Sequence, residues 1–244
     1  MNLIYTFAKK LNHTWLERTL ELYKKSYEIN SKFHSIILYT DLESKELLDD
    51  VFPNIRIVDT SDVIYFDDLK FKVLGQLSVD DVLCDGDLFL NGRLFLNHNY
   101  DILFDRLHEI KNTIHYDFYK YYRNTSSVLI ENGINNIIPF YKNDVEKVIN
   151  IGLLWFKNID KKNHFLDYYF LQRDWVLNSG LEQKYKFTSD FKNGVTFSQY
   201  FLTQYVSEYN LKYKSFNEYC DYVHYSGGDK YYPDFMKKFE KRTI

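Results

Sequence analysis

Short apolar runs alternate with amphipathic stretches along the N-terminal part of the chain. Three runs are short enough to be strands, and the two stretches between them carry apolar residues at the three- to four-residue spacing of a helix. The runs lie at residues 3–7, 35–39 and 55–58, and the helical stretches lie at residues 14–27 and 43–51. Pro53 ends the second stretch, because proline cannot continue a helix. This β-α-β-α-β order predicts a mainly parallel sheet covered by helices on both faces, with ligands at the carboxyl ends of its strands.

Similar signals continue through the rest of the chain. Their apolar spacing predicts helices at residues 66–77, 100–122 and 163–177 and strands at residues 82–84 and 148–156. With 244 residues the chain can bury one sizeable core, and its 3 prolines and 9 glycines mark no flexible linker. We therefore expect a single α/β domain over residues 1–244, with a mainly parallel central sheet flanked by helices.

Composition excludes several classes of protein. A net charge of −3 at pH 7 provides no broad positive field for DNA or RNA, so we expect no nucleic-acid partner. Two cysteines, Cys84 and Cys220, are too few for a disulfide scaffold. No apolar run reaches the ~18 residues of a transmembrane helix and no signal peptide is present, which predicts a cytoplasmic protein. Lysines and aromatic rings mix in residues 230–244, a pattern that fits either a docked helix with a basic face or peripheral contact with an anionic membrane.

Two acids stand at the end of an apolar run, in the sequence Asp85-Gly86-Asp87. Leu88-Phe89-Leu90 follows directly, so unpaired carboxylates at this point would be costly to bury. Alternate side chains of an extended strand lie about 7 Å apart, too far to share one ion, but Gly86 permits a bend that brings them closer. A divalent metal at this strand end is one interpretation, and a turn capped by aspartate is the other.

Two further motifs follow in order along the chain. Asn150-Ile151-Gly152 lies in the predicted strand, and His224 opens the sequence His-Tyr-Ser-Gly-Gly-Asp-Lys, which ends at Lys230. Together with the Asp-x-Asp, they resemble the Asp-x-Asp, Asn-x-Gly and terminal His-x-x-Gly-x-x-Lys of the metal-dependent, GT-A-type glycosyltransferases similar to glycogenin and to bacterial lipopolysaccharide galactosyltransferases. The resemblance implies one GT-A-like domain, with a Rossmann-like nucleotide-binding half at residues 1–95 and an acceptor-side half at residues 96–244.

The resemblance also implies a reaction. A sugar would move from a nucleotide diphosphate donor, with a UDP-sugar favoured, to a hydroxyl of a glycan or another acceptor. Asp85, Asp87 and His224 would hold the metal, and this mixture of oxygen and nitrogen ligands suits Mn²⁺, while the carboxylates alone would accept Mg²⁺. Gly227 would let backbone amides approach the diphosphate, and Lys230 would neutralise the charge that develops on the leaving group.

Further candidates are assigned to the donor and to the sugar-transfer step. Asn150 would hydrogen-bond the donor sugar or the acceptor. Ser198-Gln199 is the nearest equivalent of an Asp-Gln pair in the family, which makes Gln199 a candidate for the transfer step. Two other functions remain open. The same ligands could activate water in a nucleotide-sugar hydrolase or pyrophosphatase, or the cleft could bind a nucleotide sugar without catalysis.

Four more residues are candidates for the nucleotide because of their positions near predicted strand ends. Tyr5 would stack on the base, with Thr6 beside it, and Asp41 would accept a hydrogen bond from the base or the ribose. Lys72, upstream of the acid pair, would bind phosphate. Core packing or helix capping is the alternative for each of them.

Overall fold

The computed structural model describes residues 1–11, 16–65, 67–109, 116–181, 184 and 196–224. Within these ranges, residues 116–122 and 196–197 are described by their main chain alone. Nine strands lie in these ranges: β1 Asn2–Phe7, β2 Ser35–Thr40, β3 Ile55–Ile57, β4 Asp81–Cys84, β5 Leu88–Leu90, β6 Ile102–Glu109, β7 Lys147–Phe156, β8 Tyr213–Ser215 and β9 Tyr222–His224. Six α-helices accompany them: α1 Leu16–Asn30, α2 Leu42–Lys45, α3 Asp68–Leu74, α4 Tyr116–Glu131, α5 Ile159–Asn178 and α6 Phe201–Glu208. Shorter helical turns are π-helical at Thr196–Tyr200 and 3-10 at Lys9–Leu11, Ile134–Asn136 and Phe216–Glu218.

Seven strands form one mixed sheet in the order β3-β2-β1-β4-β7-β6-β8. Neighbouring strands from β3 to β4 are parallel, β7 is antiparallel to both β4 and β6, and β8 is parallel to β6. The sheet is therefore mainly parallel, with β7 alone running against the other six. A second sheet of two strands pairs β5 with β9. That small sheet brings the C-terminal end of the described chain beside the segment that follows β4.

Helices cover the large sheet on both faces, as the alternating strands predict. On one face, Ile4 and Leu83 join a core that includes Phe71 of α3, Phe165 of α5 and Phe201 of α6. On the other face, the neighbouring strand residues Leu3, Tyr5 and Val82 join a second core against which rings and leucines of α1 pack. Successive strand residues thus enter opposite cores, which is the arrangement expected for strands buried on both sides. The predicted fold class, α/β with a mainly parallel central sheet flanked by helices, is confirmed.

Two of the predicted elements are wrong in extent or type. The helix expected at 100–122 is instead strand β6 over Ile102–Glu109, with α4 beginning at Tyr116. Ile102, Leu103 and Phe104 are fully buried, because β6 is an inner strand between β7 and β8. The helix expected at 43–51 is reduced to α2, Leu42–Lys45. Among the described residues, no helix has both the length and the apolar character needed to cross a membrane.

Candidate metal centre

The Asp-x-Asp lies at the carboxyl end of β4, where the parallel half of the sheet meets β7. The backbone N–H of Asp85 donates to the carbonyl of Gly152 at 2.8 Å, so the chain stays attached to β7 as it leaves the strand. Tyr23 of α1 packs directly on Gly86, since a Cβ atom at this glycine would lie 2.2 Å from Cε2 of the tyrosine ring. The Tyr23 hydroxyl donates to the carbonyl of Thr6 at 2.6 Å. The middle residue must therefore be glycine for reasons of space.

His224 is brought to the two acids by the small sheet. In the β5–β9 pair His224 lies opposite Leu88, which directly follows Asp87. Its Nε2 atom is 3.3 Å from Oδ1 of Asp87 and 3.7 Å from Oδ2 of Asp85. One potential ligand atom from each of these three residues lies within 4.8 Å of the other two. The juxtaposition of Asp85, Asp87 and His224 expected from sequence is therefore present.

The three side chains have spacings that fit one divalent ion. Ligand bonds of roughly 2.0–2.2 Å place neighbouring ligand atoms of an octahedral ion about 3 Å apart and opposite ones about 4.3 Å apart. The two distances from Nε2 fall between these limits. Two carboxylates and one imidazole also form a donor set that Mn²⁺ accepts readily. Because Asp87 and His224 are almost fully buried, at 7% and 9% exposure, they need a cation or a proton between them.

A third acid, Asp105 of β6, holds the other side of the His224 ring. Its Oδ2 atom lies 2.5 Å from Nδ1 of His224, and its Oδ1 accepts a hydrogen bond from the Tyr222 hydroxyl. Nε of Arg106 lies 3.1 Å from the same Oδ1. Asp105 is completely buried. The histidine thus stands between one carboxylate at Nδ1 and two at Nε2.

The surrounding carboxylates control the pKa of His224. Burial by itself lowers that pKa, but Asp105 and Asp87 outweigh burial and raise it to about 10. Burial alone would raise the pKa of Asp105, and His224 with Arg106 holds it below its usual value instead. Without a metal, the ring therefore carries a proton on each nitrogen at neutral pH. A metal ion at Nε2 would take the place of one of these protons.

Lys70 of α3 balances the charge of Asp85 from the opposite side. Its ammonium lies 2.7 Å from Oδ1 of Asp85 and 3.2 Å from Oδ1 of Asp67. Burial raises the pKa of Asp85, Lys70 opposes that rise, and Asp87 adds to it. Asp67 in turn accepts a hydrogen bond from the Ser198 hydroxyl. A continuous polar chain therefore runs from Asp85 through Lys70 and Asp67 to Ser198 in the π-helical turn.

The Asn-x-Gly motif forms an irregular step in β7 next to the metal centre. Phe104 pairs with Leu154 and Arg106 pairs with Asn150, so three residues of β7 lie opposite Asp105 alone. The side-chain oxygen of Asn150 accepts from the Gly152 N–H at 2.8 Å, while its amide nitrogen lies 3.2 Å from Nε2 of His108. Asn150 is nearly buried and shapes this bulge. Its expected contact with sugar or acceptor stays a prediction.

Of the residues expected at the nucleotide, Tyr5 needs correction, and Lys72 makes another contact in the structure. Tyr5 is fully buried, with its hydroxyl 2.7 Å from the Ser26 hydroxyl, so its ring offers no face for a base. Lys72 pairs with Asp62 at 2.5 Å, whereas Lys70 contacts the acid pair. Each residue of a helix is rotated by about 100° from the one before it, so Lys70 and Lys72 leave nearly opposite sides of α3. Only one of them can therefore face the site.

The other sequence candidates have mixed positions. Thr6 is largely buried, at 7% exposure, and its carbonyl is occupied by Tyr23. Asp41 is the N-cap of α2 and accepts from the Ser44 N–H at 2.7 Å. Gln199 is half-buried in the π-helical turn, next to the Ser198 that contacts Asp67. Gly227, Lys230 and the basic tail lie outside the described residues.

Three residues of the site were not predicted from the sequence. They are Asp105, Asp67, and Lys70, which pairs with Asp85. Asp105 did carry a signal, because it directly follows the apolar run Ile102-Leu103-Phe104, and a buried charge beside such a run requires a partner. Its actual partner, His224, lies 119 positions away in the sequence. Only the pairing of β5 with β9 reveals that connection.

No protein-family model matches this chain, and no curated protein sequence matches it. Among solved structures, the chain is similar to mouse xyloside xylosyltransferase 1 in its apo form. The two share 13% sequence identity with a TM-score of 0.42, over 88% of this chain and 85% of the mouse chain.

Proposed function

We propose that this protein is a metal-dependent glycosyltransferase that moves a sugar from a nucleotide diphosphate donor, preferably a UDP-sugar, to a hydroxyl of a glycan or another acceptor. The observation that carries the proposal is the convergence of Asp85, Asp87 and His224 at the carboxyl end of β4. In open α/β sheets, ligands bind outside the carboxyl ends of the strands, which is where this cluster lies.

The chemistry of sugar transfer accounts for the charges of the site. As the bond between the sugar and the diphosphate breaks, negative charge grows on the leaving group, and fixed positive charge lowers the barrier. A bound divalent ion supplies such charge. Asp85, Asp87 and His224 would hold the ion, and Mn²⁺ suits their mixed donor set better than Mg²⁺. Lys70, held beside Asp85, adds a second fixed cation at the same strand end.

The polar chain that begins at Lys70 supports placing the sugar-transfer step near the π-helical turn. Ser198 contacts Asp67, which pairs with Lys70, and Lys70 pairs with Asp85. Gln199 directly follows Ser198, so we assign it to the region where sugar and acceptor meet. Asn150, in the bulge of β7, is our candidate for a hydrogen bond to the sugar or to the acceptor. Gly227 and Lys230 are proposed to contact the diphosphate on the strength of their motif.

A panel of nucleotide sugars tests the proposal. The protein is incubated with each donor in Mn²⁺ or in EDTA, and the released nucleotides are separated by chromatography. We expect nucleoside diphosphate from one donor class, with slow transfer to water when no acceptor is added, and no release in EDTA. Asp87→Asn should abolish the release. Asp80→Asn, at an exposed residue that directly precedes β4, is the matched control and should retain it.

Other products would identify another function. Nucleoside monophosphate together with sugar phosphate would indicate a pyrophosphatase, in which water attacks a phosphorus atom. Binding of a nucleotide sugar without turnover in the presence of candidate acceptors would indicate a binding protein. Either result would overturn the proposal.

A further inference from the structure

We infer that Asp105 is the positioning residue for His224, fixing the ring so that Nε2 faces the metal and Nδ1 does not. The inference rests on the metal centre of the proposed function. It goes beyond that function in assigning a role to a residue of β6 that does not itself reach the ion. Three observations support it: the contact at Nδ1, the bonds that hold Asp105, and the space above Gly152.

The contact at Nδ1 determines which nitrogen is free. A neutral imidazole has one N–H donor and one acceptor nitrogen, and a carboxylate at 2.5 Å from Nδ1 requires that the proton be there. Nε2 faces the carboxylates of Asp87, at 3.3 Å, and of Asp85, at 3.7 Å, so it is the nitrogen whose proton a metal ion would replace. Metal-binding histidines commonly donate their second N–H to a carboxylate in this way.

Asp105 is itself held in place, as a positioning residue must be. Tyr222 donates from its hydroxyl both to Oδ1 of Asp105 and, at 2.8 Å, to the carbonyl of the same residue. Arg106 lies 3.1 Å from Oδ1. Tyr222 precedes His224 by two residues on β9, so both side chains leave the same face of that strand and reach β6 together. Asp105 therefore holds the end of β9 as well as the ring.

Gly152 completes the arrangement from the side of β7. A Cβ atom at this position would lie 2.3 Å from Cε1 and 2.5 Å from Nδ1 of the His224 ring. The bulge opposite Asp105 thus presents bare backbone to the imidazole, and the ring occupies the space between that backbone and the Asp105 carboxylate. The ring has little freedom to turn its other nitrogen toward the acids.

The first test measures Mn²⁺ binding by calorimetry in the absence of any nucleotide sugar. Asp105→Asn keeps the size of the side chain and removes its charge, and we expect Mn²⁺ to bind about 10- to 100-fold more weakly. The matched control is Asp101→Asn. Asp101 precedes β6 and accepts from the Lys212 N–H and from Lys161, far from the His224 contact, so its loss should leave Mn²⁺ affinity within about twofold.

A double-mutant cycle separates positioning from general support of the fold. If Asp105 acts through His224, then Asp105→Asn should change Mn²⁺ affinity by less than about twofold in a His224→Ala background. A 10- to 100-fold loss in that background would overturn the inference, as would wild-type affinity in the single variant. Thermal melting in EDTA shows whether each variant is folded at the temperature of the measurement.

The second test uses the wild-type protein, so it stands even if Asp105→Asn does not fold. Nitrogen-15 NMR of histidine-labelled protein titrated with diamagnetic Zn²⁺ should show His224 with a protonated Nδ1 and a metal-bound Nε2. Metal on Nδ1, or an unchanged His224 signal at saturating Zn²⁺, would overturn the inference. Neither test involves sugar transfer. If both tests give the expected results but the protein releases no nucleoside diphosphate from any donor, the proposed function is refuted and the role of Asp105 is not.

Discussion

Gly152 lies directly against the imidazole of His224, because a Cβ atom on this glycine would come within 2.3 Å of the ring. The glycine of the Asn-x-Gly motif therefore makes room for a side chain of this protein. Asn150, two residues earlier, accepts from the Gly152 N–H and so holds the bulge in shape. The Asn-x-Gly motif and the C-terminal histidine are thus two parts of one packed arrangement.

Gly152→Ala should displace the His224 ring. Distances under 3 Å to ring atoms cannot be absorbed without movement, and Asp105 blocks retreat on the far side. We expect a loss of about 1–3 kcal/mol in the free energy of unfolding, typical of an overpacked core, together with weakened Mn²⁺ binding. Urea unfolding and calorimetry measure the two effects. Gly92→Ala is the control, since a Cβ there meets nothing within 4 Å. Equal free energies of unfolding and equal Mn²⁺ affinities in the two variants would contradict this account.

Asp87→Asn should remove stabilisation by metal. A ligand present at 100 times its dissociation constant stabilises the native state by about 2.7 kcal/mol, so the wild type should melt at a higher temperature in excess Mn²⁺ than in EDTA. The variant should show a much smaller difference between the two conditions. Asp80→Asn should respond to Mn²⁺ like the wild type. Full metal stabilisation in the Asp87 variant would mean that this residue is not a ligand.

Lys70 and Lys72 should differ sharply in their effect on turnover. Lys70 is buried between Asp67 and Asp85, whereas Lys72 forms an ion pair with Asp62 on the other side of α3. Loss of a charged contact at the site costs about 1.5–3 kcal/mol, so Lys70→Met should slow donor cleavage roughly 10- to 100-fold. Lys72→Met should change the rate by less than about twofold. Steady-state rates of nucleotide release with saturating donor provide the comparison, and equal losses would refute the assignment of Lys70.

His34 should make the fold sensitive to mild acid. Burial lowers the pKa of His34 to about 4, helped by the N-terminal ammonium and Arg93, and its Nε2 accepts from the Leu94 N–H at 3.0 Å. An unfolded histidine has a pKa near 6.5, so between these values the unfolded chain binds a proton that the native state does not. The contribution of His34 to the free energy of unfolding is at its full value above about pH 6.5 and is lost as the pH falls toward 4.

The size of this effect is measured by comparing variants. Because His34 is only half-buried, we expect a loss of about 1–2 kcal/mol, less than the full pKa shift would imply. In His34→Gln, the change in unfolding free energy between pH 7 and pH 4.5 should be smaller by this amount than in the wild type. His98→Gln, at an exposed histidine, should follow the wild type. A wild-type pH profile in His34→Gln would show that another group is responsible.

Local patterns in the sequence determined much of the fold. The alternation of apolar runs and amphipathic stretches predicted β1 to β4 and their helices, because strand and helix periodicities are properties of consecutive residues. The Asp-x-Asp and the C-terminal histidine were also recognisable, since carboxylates beside an apolar run and a histidine at a fixed offset from glycine and lysine are unusual locally. Periodicity failed at Ile102–Glu109, where the apolar content fits a helix or an inner strand and the neighbouring strands β7 and β8 decide.

Only the tertiary structure decided which charges meet. Asp105 and His224 are separated by 119 positions, and no local pattern identifies either as the partner of the other. The choice of Lys70 over Lys72 depends on which side of α3 faces the end of β4, and the burial of Tyr5 depends on which face of β1 packs against α1. Hydrogen bonds and ion pairs act over a few ångströms in space and are indifferent to distance along the chain. The sheet order that brings these atoms together is therefore what turns separate motifs into one site.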